Sequence, residues 1–450
     1  MQCLVIPALP AIQRSLHASP DAASWTVTAF LLSSAVATPI AGRLGDMFGK
    51  RRVLVAVLAI VAAGTLLCTI ASLPALVAGR VVQGVSGGVL PLAYAIVRDE
   101  LSPQRVSHGI ALLASVLGVG GGLGVIVAGV LVEHLSYTWM FWLQVPVFAA
   151  VAWLAHRSVP DSALTAPARM DWTGAVLVAS GLVLLLLTIT QAGRWGLGST
   201  ATLVGFATAA ALLAAWARSA LRRKQPLLDV RLMLRRPIWT TNTAAFLVGV
   251  GQFAGFIMIP QYVQEPAASG YGFGASPLES GVFLLPMTAG VMVAGLVAAP
   301  FERRFGAKAL LAVASVWVVA AFVLLTAARS GPATVYVASG LHGFGTGLAM
   351  AALGTLVVSN VAQPETGAAA GINNVCRTLG GAVGGQVAAV LLAASVGASG
   401  LPSAHGYTRA FGVGLAALVA ALVVVPLVPS RGGRRASLPL PARAEAERLL

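Results

Sequence analysis

The chain has 450 residues, of which 58% are hydrophobic and only 10% are charged, and its mean hydropathy is +0.87. Soluble domains carry about 25% charged residues, so this composition excludes an ordinary soluble protein and predicts a polytopic membrane protein. The net charge of +15 does not indicate nucleic-acid binding, because the basic residues cluster in loops between apolar segments and in the tail, which is typical of cytoplasmic loops.

Thirteen apolar segments are long enough to cross a bilayer, which takes about 20 residues. In chain order they are Trp25–Gly42, Val53–Ala71, Pro74–Val97, Ser107–Val132, Trp139–Ala155, Trp172–Thr190, Thr200–Trp216, Ile238–Val263, Pro277–Pro300, Ala307–Ala327, Ala333–Val358, Gly367–Ala394 and Gly406–Val428. The apolar stretch Met1–Pro10 is too short to span, and no basic residues precede it as they would in a signal peptide. We interpret it as the outer end of a helix whose first half is missing, and a complete helix would make fourteen.

The first polar loop, Gly42–Leu54, contains three glycines, one acid and four bases. Lys and Arg concentrated beside a span mark a cytoplasmic loop. Counting from this loop, most of the 29 Lys and Arg residues fall on the same side, and the opposite side holds only a few: Arg14, Arg194, Arg329 and Arg409. This asymmetry predicts that both chain ends are cytoplasmic if the first helix is complete.

The loop Pro300–Leu310 echoes the first polar loop, and both follow an outside-to-inside helix. A half-and-half repeat is typical of secondary transporters. The expected domains are an N-terminal helix bundle at 1–156, a linker with two extra spans at 157–236, a C-terminal bundle at 237–429 and a cytoplasmic tail at 430–450. The second loop has Arg303 where the first has Asp46, so the two loops differ in charge at this position.

Four short sequence motifs lie in or directly beside these predicted helices. Gly42–Leu54 follows one predicted span, Leu76–Gly88 lies inside another, and Pro7–Gln13 and Gly371–Gly381 occupy the first and the thirteenth helix. Across essentially the whole chain, these segments resemble the major facilitator superfamily and its fourteen-helix drug:proton antiporter branch, with motif A in the loop and motif B at Leu76–Gly88. The resemblance implies an all-α membrane fold of two six-helix bundles plus two central linker helices, with the first helix truncated at its N-terminus.

By this resemblance, the first polar loop is a gating motif that holds the cytoplasmic side shut in one conformational state. Its residues are Gly42, Arg43, Gly45, Asp46, Gly49, Lys50 and Arg51. Asp46 precedes the helix that begins near Val53, so its carboxylate can interact with that helix dipole and with Arg43 or Arg51. The alternative is a loop that only anchors the topology.

Arg80 lies inside a predicted span, where an arginine costs roughly 2.5–3.5 kcal/mol and is expected to face a cavity or a partner. Gln83 and Gly84 follow one turn later. The resemblance implies that Arg80, with Gln83 and Gly84, couples to proton movement. The alternative is a structural arginine bonded to backbone carbonyls.

The segment Ser107–Val132 is rich in glycine, and Gly120, Gly124 and Gly129 are candidates for close helix packing. The antiporter motif of the resembled branch reads Gly-Pro-x-x-Gly-Gly. Here Val125 replaces the proline and Ala128 replaces a glycine, so the proline kink is absent. This departure weakens the antiporter assignment, and packing alone explains the glycines about as well.

A second intramembrane arginine, Arg377, follows Asn373 and Asn374 by one turn. Polar groups clustered on one membrane helix suggest the lining of a cavity, with interhelical hydrogen bonding as the alternative. Asn242 and Gln252, on the span Ile238–Val263, are weaker cavity candidates.

The acid that would carry a proton is not identified. The resembled branch usually has one in its first helix, at the position that aligns with Met1, while Glu133 and Glu279 lie near the outer ends of their spans. The chain has no P-loop, its six histidines are scattered, and its three cysteines are far apart. We therefore expect no enzymatic activity, no cofactor and no metal site.

These features predict a multi-pass cell-membrane transporter that exports amphipathic drugs or metabolites by alternating access, driven by protons. The expected partners are a small amphipathic substrate, protons and the lipid bilayer, without nucleic acid, and nothing requires more than a monomer. One alternative is proton-coupled uptake of a small solute on the same fold. Another is a non-transporting membrane sensor or scaffold.

Overall fold

A computed structural model describes residues 5, 8–161, 170–196, 198–223, 226–329, 331–397 and 401–429. Nearly all of these residues are helical, and the β-bridge found among them joins Val396 to Pro402. Most of the predicted first-helix fragment and the predicted tail at 430–450 lie outside the described residues.

The first half of the chain forms helices whose starts are set by serine caps and prolines. The Ser19 and Ser72 hydroxyls accept hydrogen bonds from backbone N–H groups of the following first turns, which satisfies part of each exposed helix end. The helices are α1 (Leu9–Leu16), α2 (Pro20–Phe48), α3 (Lys50–Leu67), α4 (Leu73–Gln83), α5 (Val89–Glu100), α6 (Pro103–His134), α7 (Tyr137–Ser158), α8 (Trp172–Trp195) and α9 (Thr200–Arg222).

The second half continues with seven further helices. They are the short α10 (Val230–Met233), α11 (Arg236–Gln264), α12 (Pro277–Phe283), α13 (Leu285–Ala327), α14 (Pro332–Ser359), α15 (Thr366–Ala393) and α16 (Ala404–Val424). Short 3₁₀ turns lie at Ala267–Ser269, Gln363–Glu365 and Val425–Leu427.

Each of the thirteen predicted spans corresponds to helical structure. Eleven helices among the described residues are long and apolar enough to cross a membrane. The number is lower than thirteen for two reasons. Helix α3 starts with three bases and falls short of the criterion, and the stretch Leu278–Ala327, which runs from α12 through α13, counts once but covers two predicted spans. Gly306 separates those two spans with a non-helical backbone at φ 84°.

The predicted span Pro74–Val97 is not one continuous helix. A 3₁₀ segment, Gly84–Gly88, connects α4 to α5. A Cβ added at Gly84 would lie 2.5 Å from Ser33 Cβ, and one at Gly87 would lie 2.5 Å from Thr38 Oγ1. The glycines therefore allow α2 to approach the tighter 3₁₀ coil closely.

The repeat between the two polar loops is also visible in the backbone. Gly49 separates α2 from α3 at φ 97° and ψ 128°, and Gly306 separates the two parts of α13 at φ 84° and ψ 159°. Residues other than glycine rarely adopt such positive φ angles. The glycine that the two loops share is thus required for the same sharp reversal in both halves.

The two halves of the chain contact each other along several helix pairs. Helix α2 approaches α15, where a Cβ added at Gly42 would lie 2.5 Å from the Gly367 carbonyl oxygen. Helix α6 packs against the first part of α13. The extra helices α8 and α9 pack on each other through residues such as Leu182 and Trp216, and they share an apolar cluster with Ile372 of α15.

Candidate gating and central binding sites

Asp46 lies near the end of α2 and is only 2% exposed. Its carboxylate contacts the first turn of α15, where a Cβ added at Gly367 would lie 3.1 Å from Asp46 Oδ1. The sequence predicted the helix that begins near Val53 as the helix-dipole partner of Asp46, and it did not predict this contact with α15. The helix N-terminus that Asp46 faces belongs to the opposite half of the chain.

This position suits a carboxylate, because the N-terminus of a helix carries partial positive charge and free backbone N–H groups. The approach depends on glycine, since the Gly42 and Gly367 backbones touch one turn away. We call the end of the bundle where α2 ends and α3 begins the Asp46 end.

Lys50, at the start of α3, is buried and forms an ion pair with Asp99 of α5. Asp99 also accepts a hydrogen bond of 3.0 Å from Gln363 Nε2, which lies just before α15. Asp99 therefore connects the two halves. Arg51 forms a separate ion pair of 3.4 Å with the exposed Asp161.

The remaining motif residues occupy the same end. Arg43 is half-buried there, and Gly45 packs against Leu92 so closely that a Cβ would collide with that side chain. Gly49 makes the reversal described above. The structure thus brings the predicted gating residues together, with Gly42 and Asp46 against the other half of the chain.

Arg98 is a cross-half contact that the sequence interpretation missed. From the end of α5, its guanidinium donates to the Val361 carbonyl at 2.8 Å and to the Thr366 hydroxyl. The sequence counted Arg98 only as loop charge. The position of Arg98 next to Asp99 at the end of a span could have marked it as a candidate site residue. Its partner could not be predicted, because Val361 lies more than 260 residues away in the sequence.

Arg80 is almost completely buried between α2, α3 and α4, with 1% exposure. Its Nε donates to the Thr26 carbonyl at 2.9 Å, and its Nη1 donates to Gln83 Oε1 at 2.7 Å. The Gln83 amide in turn donates to Thr65 Oγ1 at 2.8 Å, and the guanidinium lies 4.2 Å from the Phe30 ring centroid. Arg80 is thus the centre of a polar network inside the N-terminal half.

The glycines of α6 that were predicted to pack closely match the close contacts in the structure only in part. A Cβ added at Gly120 would meet nothing within 4 Å, and one at Gly129 would make only an ordinary 3.5 Å contact with Leu278. The tight contact is made by Gly118, where a Cβ would collide with the Val291 side chain of α13. Gly120 was therefore a wrong choice of packing residue.

This difference yields a matched pair of variants on one helix. Gly118→Ala should lower the apparent melting temperature and slow transport, because overpacking costs about 1–3 kcal/mol. Gly120→Ala should leave both unchanged, since its methyl group has open space. Thermal unfolding of the purified protein and transport in proteoliposomes measure the two effects, and equal behaviour of the variants would contradict the packing described here.

A second polar cluster joins α11 to α15 in the C-terminal half. Asn373 Nδ2 donates to Asn242 Oδ1 at 3.0 Å. Arg377 donates to Gln252 Oε1 at 3.0 Å and to Asn374 Oδ1 at 2.6 Å. The structure therefore brings together all five residues predicted as cavity candidates, including the two on α11 that the sequence supported only weakly.

A small cavity adjoins this cluster, between the two halves of the chain. Its volume is about 20 Å³, and its lining is formed by Leu90, Tyr94, Met350, Leu353, Gly354, Ala370, Asn373, Asn374 and Arg377. Small-molecule sites usually measure about 300–1,000 Å³. A drug-sized compound can enter only if the halves move apart.

The acidic candidates near the span ends occupy exposed positions. Glu279 accepts from the Ser276 backbone N–H and completes a capping box at the start of α12, while Glu133 is exposed near the end of α6. Among the described residues, no group of three or more His, Cys, Asp or Glu side chains could hold a metal ion.

Comparison with known proteins gives extensive matches. A family model described as Major Facilitator Superfamily matches residues 2–385 and 269–444. The tetracenomycin C resistance and export protein of Streptomyces glaucescens is 31% identical, over 88% of this chain and 73% of that protein. The cephamycin export protein CmcT of Amycolatopsis lactamdurans is also 31% identical, over 95% of this chain and 89% of that protein.

A multidrug resistance protein B homolog of Mycobacterium tuberculosis is 30% identical, over 82% of this chain and 69% of that protein. Among solved structures, the human organic anion transporter MFSD10 aligns with a TM-score of 0.69 at 19% identity, over 94% of this chain and 95% of that one. At this identity, the structural likeness concerns the fold alone.

Proposed function

The chain belongs to the major facilitator superfamily, and from that membership we propose that it exports amphipathic small molecules across the cell membrane by proton-driven antiport. The protein is a multi-pass membrane transporter and not an enzyme. Proteins named for the export of tetracenomycin C and of cephamycin are among its relatives, which supports export over uptake.

The central cavity is the observation that carries this proposal. It lies between the halves, with Tyr94 of α5 on one side and Arg377 of α15 on the other, and it is too small for a drug-sized compound. Alternating access requires a site of this kind, which enlarges when one half rocks against the other.

The Asp46 end supports a gate at one face of this site. Asp46 lies against the first turn of α15, and Asp99 and Arg98 contact the segment before it. We assign this end to the cytoplasm because of its basic loops, and both chain ends lie on that side if the first helix is complete. The contacts then hold the cytoplasmic side closed, and they must break when substrate enters from the cell.

Proton coupling is assigned to the Arg80 network. A buried guanidinium held by the Thr26 carbonyl and Gln83 raises the free-energy cost of further positive charge nearby, so it can control where a proton resides. The bundles at 1–156 and 237–429, with the linker helices between them, act as the two moving bodies, and a monomer provides the complete path.

Efflux from cells tests the direction of transport. An efflux-deficient bacterium that expresses the protein should extrude a preloaded amphipathic dye after glucose is added, and should stop when nigericin collapses the pH gradient. Arg409→Gln, at an exposed position, is a matched control that should behave like the wild type. Faster accumulation would favour proton-coupled uptake, and no change in dye movement would favour a sensor or scaffold.

A further inference from the structure

The central site carries a positive charge that the described residues do not neutralise, and we propose that it recognises amphipathic organic anions through Arg377. The inference rests on the proposed export function and names its substrate class: a molecule with an anionic group, such as a carboxylate, sulfonate or phenolate, on an apolar body.

The charge of the site follows from its composition. The residues that line the cavity include Arg377 but no Asp or Glu. In the described part of the chain, Arg377 donates to Gln252 and Asn374, whose amide oxygens are neutral. A buried charge without a counterion is costly, so an anion that enters this cavity is favoured over a cation of the same size.

The geometry leaves room for such a ligand. A guanidinium has five N–H donors in a planar fork that matches carboxylate and phosphate groups. Two of the five are used by the amide oxygens of Gln252 and Asn374, and these bonds fix the orientation of the fork. Tyr94, which lines the same cavity, adds a hydroxyl donor from the opposite half of the chain.

The rest of the lining suits an apolar body. Leu90 belongs to the N-terminal half, and Met350 and Leu353 belong to the C-terminal half. When the halves separate, these side chains form walls on both sides of the anionic group. Methionine adapts its shape to different apolar partners, so the walls accommodate several scaffolds while the arginine selects for charge.

Two xanthene dyes of opposite charge test the inference without any variant. In proteoliposomes under a pH gradient, the wild type should transport anionic fluorescein at least tenfold faster than cationic rhodamine 123, which has the same ring scaffold. Arg377→Gln should reduce the fluorescein rate at least tenfold and should raise the rhodamine 123 rate, because the uncompensated positive charge that opposes a cation is removed. Arg377→Lys retains the charge but loses the planar fork, so its fluorescein rate should lie between those of the wild type and Arg377→Gln. Arg409→Gln should transport both dyes like the wild type.

The outcomes separate the substrate class from the export function. Preferred transport of rhodamine 123, or fluorescein transport that Arg377→Gln does not slow, overturns the anion inference and leaves export standing. Transport of neither dye by the wild type overturns both. Size-exclusion profiles and thermal unfolding of each variant show whether a lost rate reflects misfolding, and the wild-type comparison of the two dyes decides the question if Arg377→Gln does not fold.

Discussion

Replacing Asp46 by asparagine should slow transport at least tenfold and open the Asp46 end of the bundle. The substitution keeps the size of the side chain and removes its negative charge from the first turn of α15, beside Gly367. A charge at a helix end is worth up to about 2 kcal/mol in partly buried geometries. That energy corresponds to a shift of about 30-fold in the ratio of closed to open states.

Cysteine labelling measures the predicted opening. In a background without native cysteines, Ala370→Cys places a thiol in the buried lining of the cavity, and Asp46→Asn should raise its reaction rate with a water-soluble maleimide about tenfold. Asp161→Asn is the matched control, because this acid is exposed and its ion pair with Arg51 contributes little. Equal labelling rates in Asp46→Asn and the wild type would contradict a gating role for Asp46.

Replacing Arg80 by lysine should abolish proton-driven transport and leave proton-independent substrate exchange largely intact. Lysine keeps the positive charge but cannot reproduce the planar fork that donates to Thr26 and Gln83 at once. If Arg80 only fastens α4 to α2, the variant should instead lose stability, and exchange and driven transport should fall together.

The ratio of proton-driven transport to exchange distinguishes a coupling role of Arg80 from a purely structural one. Both rates are measured in the same proteoliposomes, with and without a pH gradient. Arg329→Lys is the control. This arginine also donates to backbone carbonyls, including that of Ala404, but it lies at the opposite end of the bundle from Asp46. Arg329→Lys should lower the melting temperature without changing the ratio, and a similar ratio for both variants would show that Arg80 has no special part in coupling.

The sequence was sufficient to predict the helical architecture, because apolar runs of about 20 residues allow little else in a membrane. It could not predict the break at Gly84–Gly88, since the 3₁₀ turn depends on how closely α2 approaches. The conformation shared by Gly49 and Gly306 was predictable from the repeated Phe-Gly pair, because the two loops connect equivalent helices.

The sequence predicted which residues belong to the candidate sites, but not which residues they contact. Asp46 was singled out as the acid of the first loop, yet the α15 helix that it contacts begins 320 residues later, and no local pattern identifies that contact. Similarly, Gly118 and Gly120 look alike in the sequence, and only the rotation of α6 decides which one meets α13. Contacts between distant helices are set by tertiary packing, which periodicity alone does not encode.

Proton-driven export is most directly tested by substrate movement into proteoliposomes with an acidic interior. Protons leaving these vesicles should drive substrate inward, and the account predicts accumulation above the external concentration that disappears when nigericin removes the gradient. For a weak organic acid, passive distribution runs the opposite way, so protein-free vesicles should exclude the same probe. Accumulation that is independent of the gradient, or substrate movement in the same direction as the protons, would contradict antiport.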